Sequence, residues 1–200
     1  MREWVRPEEE VGPQLRRLGG NPADIRWVVL THRHTDHAGG LHHFPHATIL
    51  VSAKEYRVAQ GWPGQVRGYL PNRWPEWFAP QSVAFEEAPF GPFGRSARLT
   101  QAGDIVLVPT AGHTTGHLSV IVRDQGHDQF LAGDASYTEE LMLRQHVDGV
   151  APDELAARQT LRNILALAAA SPLVYLPSHD PQAAQRLALR QTAALPAVSA

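Results

Sequence analysis

The 200-residue chain is predicted to fold as an α/β protein, because β-like and helical segments alternate along it. A second observation is that polar, histidine-rich segments recur directly after the β-like ones. Apolar residues make up 43% of the chain and charged residues 19%, proportions that allow a globular domain with a hydrophobic core. We therefore expect one domain over residues 1–200.

The first half of the chain contains two β-like segments and two helical ones. Residues 7–18 are expected to form a short helix that ends at Gly19-Gly20. Residues 26–31 are predicted to form a buried strand, and residues 47–51 a second strand. Ser52 and Glu55 have the spacing of a capping box, which predicts a helix through about Ala59.

A stretch with little periodicity follows at residues 61–95, rich in Pro, Gly, Trp and Phe, and predicts a functional loop. The pattern beyond it is again β-like, with strands expected at 105–108, 118–122, 129–132 and 173–176. Helical spacing of apolar residues predicts a helix at 153–169 and a last one at about 182–193.

Composition excludes several classes of function. The net charge is −2 with no block of Lys or Arg, so there is no electrostatic case for binding nucleic acid. The chain has no cysteine, which excludes disulfides, thiolate metal sites and a cysteine nucleophile. No apolar run has the length of a membrane span. We expect a soluble, cytoplasmic protein without a membrane partner.

Residues 31–37 carry the strongest chemical signal of the sequence. His32 and His34, two residues apart on a loop after a strand, can converge on one ion. Asp36 and His37 follow at once and suggest a second ion nearby. Imidazole and carboxylate together suit zinc, iron, manganese or cobalt.

Three more polar residues follow predicted strands, namely His113, Asp134 and His179. Each is weak by itself, because a lone Gly-Asp is usually a turn and a lone Ser-His-Asp usually a cap. A possible ligand after each of four strands is nevertheless what a site at the carboxyl edge of a sheet requires. Their joint occurrence predicts a metal site.

These motifs resemble those of the metallo-β-lactamase superfamily, His-x-His-x-Asp-His followed by a later His, an Asp and a last His. The resemblance runs from about residue 19 to about residue 185 and implies an αβ/βα sandwich. It also implies two metal ions. The implied ligands are His32, His34 and His113 for the first ion, Asp36, His37 and His179 for the second, and Asp134 as the bridge.

The other histidines receive plainer interpretations. We expect His117, together with Asp180, to support the ligating imidazoles through their second ring nitrogen. The remaining five are expected to be solvated or to pack against neighbours: His42, His43, His46, His127 and His146.

Such a pair of divalent ions, for which zinc is expected, would share one water and lower its pKa, so that a bridging hydroxide attacks the substrate. Asp36 is a candidate for carrying the proton to the leaving group.

Tyr137 lies three residues after Asp134, and this spacing resembles the Asp-x-x-Tyr motif of N-acyl homoserine lactone lactonases, which quench quorum sensing. The resemblance implies that its phenol stabilises the lactone oxyanion, although a packed aromatic near a turn is the alternative.

Aromatic residues in the 61–95 stretch are candidates for an apolar wall around an acyl chain, or for closing the core or a dimer contact. The candidates are Trp62, Tyr69, Trp74, Trp77 and Phe78.

The same ligands would also serve alternative functions, namely those of a glyoxalase-II-like thioesterase or of an organophosphate or aryl ester hydrolase.

Members of the family begin with several strands before the His-rich segment, whereas only about 30 residues precede it here. The resemblance therefore implies an N-terminally shortened sandwich with an exposed sheet edge and apolar face. A homodimer, or an inactive fold used for binding or assembly, would also be compatible with that shortening.

Overall fold

Two β-sheets form the centre of the computed structural model, which describes residues 5–61, 64, 69, 73–124 and 126–195. The smaller sheet has three parallel strands, β1 (Trp27–Val29), β2 (Thr48–Ser52) and β3 (Gln81–Val83), in that order. The larger sheet has five strands in chain order: β4 (Ala97–Arg98), β5 (Ile105–Pro109), β6 (Leu118–Asp124), β7 (His127–Gly133) and β8 (Leu173–Pro177). Its strands are antiparallel except for the parallel pair β7 and β8.

Helices connect and cover these sheets, which confirms the predicted α/β class. They are α1 (Val11–Arg17), α2 (Thr35–Ala38), α3 (Ala53–Val58), α4 (Glu139–Leu143), α5 (Glu154–Ala170) and α6 (Ala183–Leu189), with 3-10 turns at Pro7–Glu9, Pro22–Asp24 and Leu41–His43. Helix α5 begins where the Asp153 carboxylate accepts the Ala156 N–H (3.0 Å). No helix in the described ranges is long and apolar enough to cross a membrane.

The main hydrophobic core lies between α5 and the larger sheet. Leu161, Ile164 and Leu167 of α5 are buried, as their helical spacing predicts, and belong to one cluster with Phe130 and Tyr175. A second cluster joins the smaller sheet to α2, through Leu30, Ala38, Leu41, Ile49 and Val51. Each sheet therefore holds its own layer of helices in place by apolar burial.

Two predictions for the N-terminal third of the chain are wrong in detail. The expected helix 7–18 is interrupted because Glu10 has an extended backbone (φ −66, ψ 155), which separates a 3-10 turn from α1. The expected buried strand 26–31 shortens to β1, whose three residues are only half-buried. Among the described residues β1 pairs with β2 alone, so its other edge is free and its side chains are incompletely covered.

Two further segments, nearer the middle and end of the chain, differ in detail from the sequence-based expectation. The 61–95 stretch contains a strand, β3, which is too short to show alternation in the sequence and forms by pairing with β2. The last helix ends at Leu189 instead of 193, because Arg190 adopts the left-handed conformation (φ 50, ψ 37). The Gln191 N–H then bonds to the Arg186 carbonyl (2.9 Å) and closes the helix.

The two sheets meet through loops at their carboxyl ends. The Leu118 N–H, at the start of β6, donates to the Thr31 carbonyl just after β1 (2.9 Å). The Ser52 hydroxyl, at the end of β2, donates to the Gly116 carbonyl (2.5 Å). Gly116 has no room for a side chain, because a Cβ there would lie 2.1 Å from the Glu55 backbone nitrogen.

We expect Gly116→Ala to lower the free energy of unfolding by roughly 2–3 kcal/mol, because backbone of α3 must move away from the new methyl group. Chemical denaturation measures this difference. Gly94→Ala is the matched control, since a Cβ at Gly94 meets nothing within 4 Å. Equal stability of the two variants would show that the loops do not depend on this close approach.

Candidate metal centre

The predicted ligands lie together where the two sheets meet. His32 and His34 follow β1, Asp36 and His37 lie in α2, and the other three come from the larger sheet: His113 after β5, Asp134 after β7 and His179 after β8. The sequence pattern predicted a site at the carboxyl edge of a sheet, and in the structure two sheets contribute to that edge. The ligands lie between the edges of two sheets.

One group of donor atoms comprises His32, His34 and His113, whose ring nitrogens lie within 4.8 Å of one another. The closest pair is His113 Nε2 and His34 Nδ1, 3.0 Å apart. His32 and His113 are buried, while His34 is partly accessible.

A second group comprises Asp36, His37 and His179. Asp36 Oδ2 lies 3.4 Å from both His37 Nε2 and His179 Nε2. Asp134 stands between the two groups, since its Oδ2 lies 3.5 Å from His113 Nε2 and 3.3 Å from His179 Nε2. The geometry thus brings together all seven residues that the sequence singles out.

Several of these atoms are buried without a hydrogen-bond partner among the described residues, namely His32 Nε2, His37 Nε2 and Asp134 Oδ1. A buried polar atom left unpaired costs about 1–3 kcal/mol, so three neighbouring ones indicate that something else satisfies them. Imidazole nitrogens and carboxylate oxygens are the donors that zinc and related divalent ions take from proteins. The residues present therefore fit metal ions at this position.

Electrostatics in this cluster also suit a cation. Burial, together with the neighbouring imidazoles, lowers the pKa of His32 well below its usual value, which leaves a neutral ring with a free lone pair. The His37 imidazole, 3.4 Å away, outweighs burial and lowers the pKa of Asp36 to about 2. Burial opposes protonation of His37, but the carboxylates of Asp134 and Asp36, 3.3 and 3.4 Å from its Nε2, raise its pKa to about 9. This ring would therefore release a proton when it binds an ion.

The second ring nitrogens of two candidate ligands have partners that the sequence analysis missed. His113 Nδ1 lies 2.7 Å from Asp148 Oδ2, and His32 Nδ1 lies 3.1 Å from Thr31 Oγ1. A carboxylate on Nδ1 fixes the tautomer and directs the Nε2 lone pair into the site. Asp148 belongs to no motif, so no signal in the sequence pointed to it.

His117, expected to support a ligating imidazole, instead holds the backbone at Asp134. Its Nε2 accepts the Asp134 N–H (3.1 Å), so its Nδ1 donates to the Thr110 hydroxyl (2.8 Å). Burial lowers the pKa of His117 to about 3, which keeps the ring neutral, as this bonding requires. The Thr110 hydroxyl can then donate to Ser119 (2.8 Å), which itself bonds to the Ala132 carbonyl (3.1 Å).

The expectation for Asp180 requires the same kind of correction. Its carboxylate accepts the Glu139 N–H (3.0 Å), the Gln182 N–H (2.9 Å) and a guanidinium N–H of the buried Arg186 (2.5 Å). Asp180 therefore anchors the loop that carries His179 to α4 and α6, and no ligating imidazole is among its bonding partners.

Glu55 is a further residue whose role the sequence analysis missed. The Ser52 hydroxyl does cap α3, since it accepts the Glu55 N–H (3.1 Å). The buried Glu55 carboxylate, however, accepts the Arg33 N–H (3.0 Å) and the Thr114 hydroxyl (2.7 Å). It thereby ties the loop containing His32 and His34 to the loop containing His113. The Ser-x-x-Glu spacing was a real signal, but a local capping rule could not reveal these distant partners.

Tyr137 lies next to both groups of donors. Its ring centroid is 5.9 Å from that of His113 and 5.4 Å from that of His179. Burial and the neighbouring carboxylates Asp148, Asp134 and Asp36 raise its pKa to about 12. The phenol is therefore protonated at neutral pH and can donate a hydrogen bond.

The other aromatic candidates lie in different environments. Tyr69 is buried, with its ring 5.0 Å from the ring of His34. Trp74 and Phe78 instead face the buried guanidinium of Arg33, at 3.4 and 4.9 Å from ring centroid to Cζ. Trp77 is 39% exposed, and Trp62 lies outside the described residues.

A cavity of about 1180 Å³ adjoins His34, Asp36 and His37. The described aromatic candidates do not line it, so they do not form the expected apolar wall at this cavity. Its apolar surface comes instead from α1, β1 and the segment after α2, through Val11, Leu15, Val28, Leu30, Leu41 and Phe44.

The remaining histidines lie near the surface, as expected for most of them. His46 and His146 are exposed, and His127 Nε2 lies 3.9 Å from Asp124 Oδ2. His42 and His43, in contrast, converge on the carboxylate of Glu10.

Residues 3–179 match the family model described as the metallo-beta-lactamase superfamily. This chain belongs to that superfamily, and the resemblance inferred from its motifs is confirmed.

Curated relatives include a probable metallo-hydrolase of Mycobacterium bovis, 39% identical over 64% of this chain and 43% of that protein. Another is the N-acyl homoserine lactonase AttM of Azorhizobium caulinodans, 27% identical over 90% of this chain and 67% of the relative. The chain thus spans between two fifths and two thirds of the length of these relatives.

Solved structures show the same fold. An N-acyl homoserine lactone hydrolase with N-hexanoyl-L-homoserine bound at its catalytic metal centre gives a TM-score of 0.72 at 22% identity, covering 90% of this chain and 66% of that one. AidC, a dizinc quorum-quenching lactonase, gives 0.65 at 17% identity, covering 86% and 63%. These similarities confirm the metallo-β-lactamase fold.

We expect Glu55→Ala to weaken divalent metal binding by roughly 10- to 100-fold, the effect of losing a group that orients ligands. It also leaves the buried Arg33 N–H without its acceptor, at a cost of about 1–3 kcal/mol in stability. Competition with a chromophoric chelator measures the affinity for metal.

Glu55→Gln is the matched control, because its amide oxygen can still accept the Arg33 N–H and should restore most of the affinity. If Glu55→Ala is less stable but binds metal as tightly as the unmodified protein, Glu55 stabilises the fold without positioning the ligands.

Proposed function

We propose that this chain carries the active centre of a dinuclear metal-dependent hydrolase that opens the ring of a lactone of the N-acyl homoserine type. The observation that carries the proposal is the placement of Asp134 and Tyr137. The Asp134 carboxylate lies within 3.5 Å of donors from both groups, and the Tyr137 ring contacts one imidazole of each.

In this proposal the first group holds one ion and the second group holds another, with Asp134 contacting both. The first group is His32, His34 and His113, and the second is Asp36, His37 and His179. Two divalent ions, for which zinc is proposed, would polarise an ester carbonyl and activate water for attack on it. The carboxylates lower the net positive charge of such a centre, and the buried imidazoles keep it rigid.

Tyr137 is proposed to donate its phenol hydrogen bond to the carbonyl oxygen of the lactone. Because its pKa is raised to about 12, the phenol keeps its proton throughout the neutral range. A fixed donor stabilises an oxyanion more than the uncharged carbonyl, so it accelerates the reaction. The side chain is half-buried, which leaves part of the ring accessible to substrate.

Asp36 is proposed to carry a proton to the leaving alkoxide of the opened ring. Its carboxylate is about one-third exposed, unlike that of Asp134. Its low pKa keeps it ionised at neutral pH, so a proton that it takes up passes readily to the more basic alkoxide. Its position beside His37 and His179 places it within the second group.

Relatives named as lactonases favour a lactone over a thioester or a phosphotriester. The sequence has no distinct basic cluster for the glutathione part of a thioester substrate. The expected partner is therefore a small, uncharged ester or lactone.

The test is reconstitution with zinc, followed by assays of homoserine lactones, S-lactoylglutathione and paraoxon. We expect at least two equivalents of bound metal and a preference for lactones. Fewer than two equivalents would support the inactive-fold alternative, and faster turnover of one of the other substrates would overturn the lactone proposal.

Replacing Tyr137 by Phe should lower lactone turnover by roughly 10- to 1000-fold, the scale of losing one oxyanion donor. Metal content should not change, because the phenol belongs to neither donor group. Tyr56→Phe is the matched control, since the Tyr56 ring packs against Arg33. Unchanged kinetics in Tyr137→Phe would remove the main reason for preferring lactones.

Replacing Asp36 by Asn should lower lactone turnover by at least about 100-fold, as expected when a general acid is lost. An aryl ester with a good leaving group needs no protonation, so its hydrolysis should decline much less. Metal analysis of the same sample separates this effect from loss of an ion. A variant that retains two ions and full lactone turnover would exclude the proton-carrying role.

A further inference from the structure

A second cluster of possible metal donors lies outside the centre described above. It consists of Glu10, His42 and His43, which we call the Glu10 cluster. Glu10 Oε2 lies 3.0 Å from His42 Nε2 and 2.6 Å from His43 Nε2. All three donor atoms lie within 4.8 Å of one another.

The fold brings these residues together from two segments of the chain. Glu10 lies at the interruption before α1, where its extended backbone separates the 3-10 turn from the helix. His42 and His43 lie in the 3-10 turn Leu41–His43, which follows α2. Residues more than thirty positions apart therefore direct three donor atoms to one point.

The rings of the cluster are held in place. Their centroids are 4.0 Å apart, and the His43 ring lies directly over Gly12. A Cβ at Gly12 would lie 2.5 Å from His43 Nδ1, so a glycine is needed for the ring to occupy this position. The His43 side chain is largely buried, whereas that of His42 is 55% exposed.

We propose that the Glu10 cluster binds one divalent transition-metal ion, with zinc, nickel or copper as the chemical class. Two imidazoles and a carboxylate are three protein ligands of the kind that these ions prefer. The exposed side of His42 leaves room for water to complete the coordination. The ion would take the place of the two imidazole protons that otherwise form hydrogen bonds to Glu10 Oε2.

Binding at this cluster has a structural consequence. Glu10 precedes α1, and His42 and His43 adjoin Leu41, which together with Val11 and Leu15 of α1 lines the 1180 Å³ cavity. An ion held by both segments would fasten α1 across that cavity. This inference does not depend on the reaction proposed for the central site.

The experiment uses the full chain, freed of metal with a chelator and titrated with zinc during equilibrium dialysis. We expect one equivalent to bind in addition to those of the central residues. His42→Gln should lose that equivalent and retain the others. Because the His42 side chain is exposed, this substitution should not disturb folding. His46→Gln is the matched control, because it removes an exposed histidine outside the cluster.

Hydrogen exchange supplies a second measurement. Zinc added after the central equivalents have bound should slow amide exchange in residues 11–17 of the unmodified protein and of His46→Gln, but leave it unchanged in His42→Gln. Equal zinc binding by the unmodified protein and His42→Gln would overturn the proposal, since the cluster would then be an ion pair only.

Discussion

The candidate metal centre depends on the buried carboxylate of Glu55, which joins two loops that belong to different sheets. One oxygen accepts the Arg33 N–H and the other accepts the Thr114 hydroxyl. Donors from separate sheets can converge only if those sheets keep a constant distance. The bond from Leu118 to Thr31 and the absence of a side chain at Gly116 support the same approach. Both sheets are therefore held together at the point where the chemistry is proposed to occur.

This arrangement concentrates unfavourable interactions in one place. Burial, together with the neighbouring imidazoles, lowers the pKa of His32, and buried atoms of His37 and Asp134 lack hydrogen-bond partners among the described residues. A polypeptide selected for stability alone would avoid such a cluster. Bound divalent ions would convert these costs into favourable interactions, so metal binding and folding stability should be coupled.

Arg33 explains why the aromatic residues of the 61–95 stretch do not all face the candidate metal centre. The His32 and His34 side chains lie with the other candidate ligands. Arg33, the residue between them, is completely buried on the other side of the loop. Its guanidinium lies over Trp74 and is also close to Tyr56 and Phe78. Burial lowers the pKa of Arg33 to about 10, and the aromatic faces compensate part of the lost hydration. These aromatic residues therefore support the ligand loop from behind.

Local pattern determined much of this protein from the sequence by itself. The alternation of β-like and helical segments was enough to predict the α/β class, and the residues that follow predicted strands were enough to collect seven candidate ligands. The two-sheet sandwich was implied by the family resemblance. Only the tertiary structure decided which groups bond to them, such as Asp148 on His113 and His117 on the Asp134 backbone. The physical reason is that periodicity and capping are short-range, whereas these contacts join residues 17 to 35 positions apart and form only when separate loops come together.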